Sequence, residues 1–255
     1  MSEIWKMLPI VCPLVFLAGF VDSVAGGGGL ISLPAYMLVG LPAHLASGTN
    51  KVANGVGTAI SVYKYSKSGN IRLKMALPAA AGALAGSALG ARLALMINAE
   101  ALKVVILCAL PVMAAVILLK RDFGAEEREP KKSLARWTLP LCVLIGLVIG
   151  CYDGMIGPGT GTLMILAFTA VTGVDLLTAS GCAKVANLAS NIAAAAVWIA
   201  KGQVLWELAG PAAVCSILGN YAGSRFAIKG GAKRVRALLM IVLMLIFVKI
   251  ICDML

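Results

Sequence analysis

The feature that most limits what this chain can become is that it is written twice. Gly19-Phe20-Val21-Asp22 returns as Gly150-Cys151-Tyr152-Asp153, an offset of 131, and each tetrad is followed by a glycine cluster, Gly26 to Gly29 and Gly157-Pro158-Gly159-Thr160-Gly161. After a two-residue insertion the offset becomes 133, and Ala46-Ser47-Gly48-Thr49-Asn50-Lys51-Val52-Ala53-Asn54 aligns with Ala179-Ser180-Gly181-Cys182-Ala183-Lys184-Val185-Ala186-Asn187. The register holds through Gly69 and Gly202, Pro78 and Pro211, Gly86 and Gly219, Gly90 and Gly223, and Arg92 and Arg225. So many identities at one offset mark an internal duplication. The same pattern argues against a cleaved N-terminal signal. Lys6, the apolar run from Met7 to Val21 and Ser23-Val24-Ala25 resemble one, yet the pattern recurs in mid-chain, where no signal peptide is removed.

Composition fixes the solvent. Of the 255 residues 60% are hydrophobic and 13% charged, against about 45–50% and about 25% in soluble domains. Each copy has three stretches long enough to span a bilayer, 44–63, 75–92 and 101–119, then 176–199, 205–225 and 236–252. Each opens with two shorter pieces, 8–23 and 29–41, or 137–152 and 158–173. About 15 residues reach only about 22 Å of a hydrocarbon core of about 30 Å. These pairs read as re-entrant-like hairpins of short helices whose glycine turns sit at membrane depth, where irregular backbone must be buried in protein or line a cavity. The expected fold is therefore an all-α polytopic membrane protein of two repeats, 1–120 and 137–255, each a short-helix hairpin plus three transmembrane helices, joined by a linker at 121–136.

Charge placement sets the orientation. The loop at 64–74 holds Lys64, Lys67, Arg72 and Lys74, whereas its counterpart holds only Lys201 and Glu207. At the next loop the bias reverses, with Arg225, Lys229, Lys233, Arg234 and Arg236 in the second copy. Basic loops stay inside, so equivalent loops lie on opposite faces and the repeats are inverted. The linker, with its mixed charges, is then cytoplasmic and both termini external, in a multi-pass protein of the plasma (inner) membrane. These two loops and the stretch from Lys120 to Arg136 account for the whole net charge of +11, so the basicity reports topology. With 6% aromatics and no basic-aromatic interleaving, nucleic acid is not an expected partner.

What remains is chemistry that lipid does not tolerate. Ser47, Lys51, Asn54 and Thr58 in one copy, and Ser180, Lys184, Asn187 and Asn191 in the other, share spacings of four, three and four, which is one face of a helix. A lysine at a helix centre costs about 2.5–3.5 kcal/mol on the insertion scale, so both stripes must face protein or water. Asp22 and Asp153, just before the glycine turns, are the available counter-charges. They form either structural ion pairs or part of a transport site where protonation couples to occupancy. The turns Gly26, Gly27, Gly28, Gly29 and Gly157, Gly159, Thr160, Gly161 allow sharp reversals. The helix N-termini that follow present amides suited to a small oxyanion. Thr49, Asn50, Lys51, Asn54, Lys184, Asn187 and Asn191 complete the expected substrate set, with Asp22 and Asp153 as ion-pair or proton-coupling groups.

The remaining features are assigned to packing or interface. Gly82, Gly86, Gly90, Gly219 and Gly223 are helix-packing ridges. Arg92 and Arg225 reach for the interface, where Trp5, Trp137, Trp198, Trp206 and His44 also fit. The seven cysteines lie in or beside apolar runs at irregular spacing and read as small packing residues. One histidine and no CxxC or HExxH give no zinc pattern, and no GxxxxGK[ST] gives no nucleotide site. Neither metal, cofactor nor catalytic residue is expected. The rival from another class is an intramembrane aspartyl protease using Asp22 and Asp153, which the matched lysines and the missing Gly-x-Gly-Asp argue against. A passive anion channel would share every residue feature.

Gly-Phe-Val-Asp-Ser-Val-Ala-Gly-Gly-Gly-Gly-Leu-Ile-Ser-Leu-Pro (19–34), Gly-Thr-Asn-Lys (48–51), Tyr-Asp-Gly-Met-Ile-Gly-Pro-Gly-Thr-Gly (152–161) and Lys-Val-Ala-Asn (184–187) resemble the TauE/SafE family of sulfite and organosulfur-anion exporters. The resemblance covers nearly the whole chain. It implies a plasma-membrane carrier of sulfur-containing anions with seven to nine membrane segments, and it leaves open sulfite, sulfoacetate, thiosulfate or a carboxylate. The partners expected are a small anionic substrate, membrane lipid and a second copy in a homodimer. The expected mechanism is alternating access with the anion held near the midplane between the hairpins.

Overall fold

The computed structural model describes residues 2–119 and 137–254, with side chains placed for 4–109, 137–231, 234 and 235. The linker at 121–136 lies outside the described residues. Among the described residues the secondary structure is wholly helical: α1 (Ser2–Ala25), α2 (Gly29–Leu38), α3 (Ala43–Lys67), α4 (Leu73–Met96), α5 (Ala99–Leu119), α6 (Thr138–Met155), α7 (Thr160–Thr172), α8 (Leu176–Ala200) and α9 (Trp206–Met254). α9 breaks at Gly231, whose φ of 62° and ψ of −164° are not helical, so 206–230 and 232–254 occupy the places of α4 and α5. The order of elements is thus the same in both copies.

Turn chemistry repeats with the sequence. Gly40 and Gly173 close α2 and α7 with φ of 89° and 70°, and Gly69 and Gly202 follow α3 and α8 with φ of 75° and 65°. Such angles carry no steric penalty only for glycine. Asp175 caps α8 by accepting from the amides of Leu177 and Thr178 at 2.9 and 3.0 Å.

One expectation needs correcting. The first hairpin arm is not a short piece at 8–23. α1 has 24 residues, and Ile4–Ala25 is long and apolar enough to cross a membrane. Pro9 and Pro13 fall inside it without ending it. Only the second arms are short, with 10 residues in α2 and 13 in α7. The composition rule for a span is also met by α4, α6 and α8. Large side chains point outward, as Leu77, Leu84, Leu89 and Leu93 do on α4, while Ala76, Ala79, Gly82, Ala83, Gly86 and Gly90 are buried. That arrangement, large apolar residues outside and small ones at helix contacts, suits a lipid solvent and identifies a polytopic membrane protein.

The glycine ridges do pack helices, and they pack one copy on the other. A Cβ at Gly82, Gly86 or Gly90 would lie 2.9 Å from the backbone amide of Leu147, Cys151 or Met155 on α6. In the exchanged contact, one at Gly219 would lie 3.0 Å from the Phe20 amide and one at Gly223 2.9 Å from Phe20 Cα, on α1. The exchange is general. Thr49 Oγ1 accepts the amide of Leu205 at 3.0 Å, and its repeat mate Cys182 Sγ accepts the amide of Arg72 at 3.3 Å. Gly48 abuts the carbonyl of Gln203, and its mate Gly181 that of Asn70. Reciprocal contacts of this kind are those of an isologous, two-fold interface, here within one chain.

Helix directions follow from the same contacts. α3 runs against α4, since His44 Nε2 at its start lies 3.2 Å from Ala94 O near the end of α4. α3 runs with α9: contacts ascend together from Thr49 and Leu205, through Gly57 and Ser216, to Ser61 Oγ, which donates to Asn220 Oδ1 at 2.8 Å.

Candidate functional site

The polar stripes converge where the two glycine turns meet. On α3, Ser47, Lys51 and Thr58 are buried and Asn54 half-buried; on α8, Ser180, Lys184, Asn187 and Asn191 are all buried. Each lysine finds its counter-charge in the other copy. Lys51 Nζ lies 2.7 Å from Asp153 Oδ2 on α6, and Lys184 Nζ lies 2.6 Å from Asp22 Oδ2 on α1. Side-chain exposure is 6% and 3% in the first pair and 0% and 17% in the second. An unpaired charge this deep would cost several kcal/mol, so each pair ties one copy to the other.

The turns touch backbone to backbone. Gly26, with φ of 79°, has its carbonyl bonded to the amide of Thr162 at 3.1 Å, and Thr162 Oγ1 donates to Ala25 O at 2.8 Å. A Cβ at Gly161 would sit 2.6 Å from Gly26 Cα, and one at Gly29 3.2 Å from Pro158 Cα. Glycine is needed here because another backbone occupies the space. Lys51 lies beneath the second turn, its Nζ 3.6 Å from where a Cβ of Gly157 would be. Gly27 and Gly28 complete the first turn, and the carbonyl of Gly28 accepts from the amides of Ile31 and Ser32. Neither α2 nor α7 has a side-chain cap at its N-terminus; Gly28 and Gly159 stand at the cap positions. Both helix ends therefore begin beside the ion pairs without a side-chain cap, while backbone carbonyls take part of each first turn: Gly27 O accepts from Leu30, Gly157 O from Thr160 and Gly26 O from Thr162.

The other expected residues divide. Asn54 Nδ2 donates to Asn50 Oδ1 at 3.0 Å and to Ser32 Oγ at 3.4 Å, which joins α3 to the first turn of α2. Asn191 Nδ2 donates to Asn187 Oδ1 at 3.2 Å. Thr49 is turned away from the ion pairs, its hydroxyl engaged at the entrance to α9. Thr160 Oγ1 donates to Gly157 O at 2.7 Å and so closes its own turn. Thr58 and Ser47 have buried hydroxyls with no partner among the described residues. Arg92 sits far along α4, on the rim of a mostly apolar cavity with Met96, Val197 and Lys201.

Four contributors were not expected from sequence. Ser190 Oγ donates to Asp153 Oδ2 in a very short contact, and its own carbonyl accepts from Ser87 Oγ at 2.7 Å. Tyr152 OH donates to Pro158 O at 2.7 Å, bracing the second turn. Tyr65 OH donates to Ser23 O at 3.0 Å beside Asp22. The Ser61–Asn220–Ser216 chain lies between α3 and α9. Ser190 was visible as a difference between copies, since its mate at the 133 offset is Gly57.

Comparison with known proteins agrees in scope and kind. The family model described as "Sulfite exporter TauE/SafE" matches residues 11–250. The chain is 35% identical over 249 residues to "Probable membrane transporter protein ORF9" of a Sinorhizobium species, covering 98% of this chain and 94% of that one. It is 32% identical over 248 residues to a "Probable membrane transporter protein" of Haemophilus influenzae, covering 97% and 95%. With "Probable membrane transporter protein YfcA" of Escherichia coli K12 it shares 30% identity over 261 residues, covering 99% and 94%. No solved structure matches. With its family matched from end to end and its helices built for lipid, the chain belongs to the TauE/SafE sulfite exporter family of membrane transporters.

Proposed function

We propose that the chain is a secondary transporter, working as an exporter in the plasma membrane, that moves small sulfur-containing anions such as sulfite or organosulfonates by alternating access. The observation that carries this reading is the crossed pair of intramembrane ion pairs at the junction of the two turns. A buried lysine on each half, next to an uncapped helix N-terminus and amide side chains, is an arrangement that recognises an oxyanion. Because each lysine is neutralised by the opposite half, an anion that competes for the lysine loosens one contact between halves, and that links occupancy to their relative movement.

Alternating access also needs two halves of opposite orientation. α3 runs against α4 but with α9, and α4 and residues 206–230 of α9 are repeat mates. These directions support inverted copies, as the basic loops do, with 64–74 and 225–236 on the cytoplasmic side. The geometry gives no support to a protease dyad, since each carboxylate faces a lysine and not the other carboxylate.

The test is uptake into proteoliposomes containing the purified chain, with labelled sulfite, thiosulfate, isethionate and acetate each offered at two pH values. Saturable uptake of at least one sulfur oxyanion above empty liposomes, and above acetate, is expected. Uptake of acetate alone, or of none, contradicts the reading.

A further inference from the structure

The two ion pairs occupy matched positions, yet their surroundings differ in a way the sequence builds in. Asp153 is 3% exposed, and its Oδ2 receives both Lys51 Nζ and the hydroxyl of Ser190, itself held through its carbonyl by Ser87. Asp22 is 17% exposed, and among the described residues its carboxylate receives Lys184 alone. The first copy cannot hold a matching hydroxyl. Gly57 stands at that position, and a Cβ there would lie 2.6 Å from Asn220 Nδ2 and 2.9 Å from Ser216 Cβ. Those two polar residues of α9 have Ser87 and Ala83 as their mates on α4. Serine in one copy and glycine in the other are therefore compensated by opposite changes on the neighbouring helix.

We infer that the pairs have different tasks: Lys184–Asp22 opens, with Asp22 taking a proton at its exposed edge while Lys184 passes to the anion, whereas Ser190 holds Lys51–Asp153 closed as a fixed joint. For a monovalent anion the charge balances, because one proton and one negative charge enter together and Lys184 stays an ammonium. The groups facing Asp22 are consistent with this. α8 presents Lys184, α3 presents the Tyr65 phenol, and α9 faces this part of α1 with Ser216, Asn220 and Gly223, none of which titrates. α2 and α7 approach through Gly28 and through Gly161 and Thr162. Ser190 is a positioning residue, since it acts on Asp153 and not on the anion. The anion half of this inference rests on the transport reading above.

Dicyclohexylcarbodiimide reacts with protonated carboxyls in apolar surroundings, and peptide mass spectrometry of the full chain in liposomes counts adducts at each aspartate. The expected result is modification of Asp22 over Asp153 by at least about tenfold, the scale of one hydrogen bond to a charged group, falling as pH rises. Ser190→Ala, checked for a monodisperse gel-filtration peak, should raise the Asp153 adduct. Equal labelling of both aspartates, or preference for Asp153, overturns the inequivalence. An unchanged Asp153 adduct in Ser190→Ala overturns the role of Ser190. Added sulfite, thiosulfate or isethionate should increase the Asp22 adduct at fixed pH, and no response to any of them overturns the exchange of Asp22 for an anion. Uptake by the same liposomes separates the two claims: transport with equal labelling refutes this inference alone, whereas absence of transport refutes the transport reading.

Discussion

Removing one member of the Lys51–Asp153 pair should damage the protein more than removing both. The pair is buried at 6% and 3% side-chain exposure, with a 2.7 Å contact and a further hydrogen bond from Ser190. Among the described residues, Lys51→Met leaves a carboxylate with a single hydroxyl partner in a buried site, and Asp153→Leu leaves an ammonium with none. Breaking a buried pair on one side costs about 3–5 kcal/mol, whereas replacing both partners by apolar groups of similar volume is close to neutral. At about 2–4 °C per kcal/mol for a chain of this size, each single variant should lose roughly 6–20 °C in apparent Tm. The Lys51→Met/Asp153→Leu double variant should recover to within about 4 °C of the parent. The assay is thermal unfolding in one detergent at one scan rate, with transport recorded separately because the double variant lacks one of the site's two lysines. Lys184→Met should cost less, because its carboxylate partner is 17% exposed and can rehydrate. Single variants within about 1 kcal/mol of the parent, or a double variant as damaged as the worse single, would refute a buried, mutually neutralising pair.

Two further substitutions separate packing from site chemistry. Gly86→Leu and Gly219→Leu should each abolish the monodisperse peak on gel filtration, since even a Cβ would press on the backbone of α6 or α1, whereas Leu84→Ala on the lipid-facing side should leave it intact. Thr49→Val should lower stability by about 1 kcal/mol, the size of a lost neutral hydrogen bond at the Leu205 amide, and leave transport rates near the parent; a loss of transport with unchanged stability would return Thr49 to the binding site.

Much of this architecture was legible before any coordinates, and the reason is periodicity. A stripe at spacings of four, three and four names a helix face, and a duplication that preserves it names two such faces that must meet something polar. The ridge at Gly82, Gly86 and Gly90 likewise announced close helix contact. What period cannot carry is which surface meets which. Asp22 and Lys51 belong to one copy and were candidates for each other, but the fold exchanges partners, so Lys51 meets Asp153 and Lys184 meets Asp22. Thr49 is two residues from both Ser47 and Lys51, about 200° around the helix and so off the stripe; its hydroxyl satisfies an amide of the other half. The piece at 8–23 is shorter than α1 because an apolar run is counted only from beyond the charged Lys6. The helix starts at Ser2, before the lysine, and carries Pro9 and Pro13 in its interior, each leaving one helical hydrogen bond unmade. Ser190 stands outside the repeated pattern because its meaning lies in a difference between the copies, with Gly57 as its mate.

The central claim is that transport depends on both crossed lysines, Lys184 as the cation that passes to the anion and Lys51 as the fixed joint that holds the halves in register. The direct measurement is initial uptake of labelled sulfite into proteoliposomes by the parent, Lys51→Ala and Lys184→Ala, each corrected for the amount of folded protein. Loss of most transport in both variants, with Lys184→Ala the more severe, is the predicted result. Parental rates in both would contradict it.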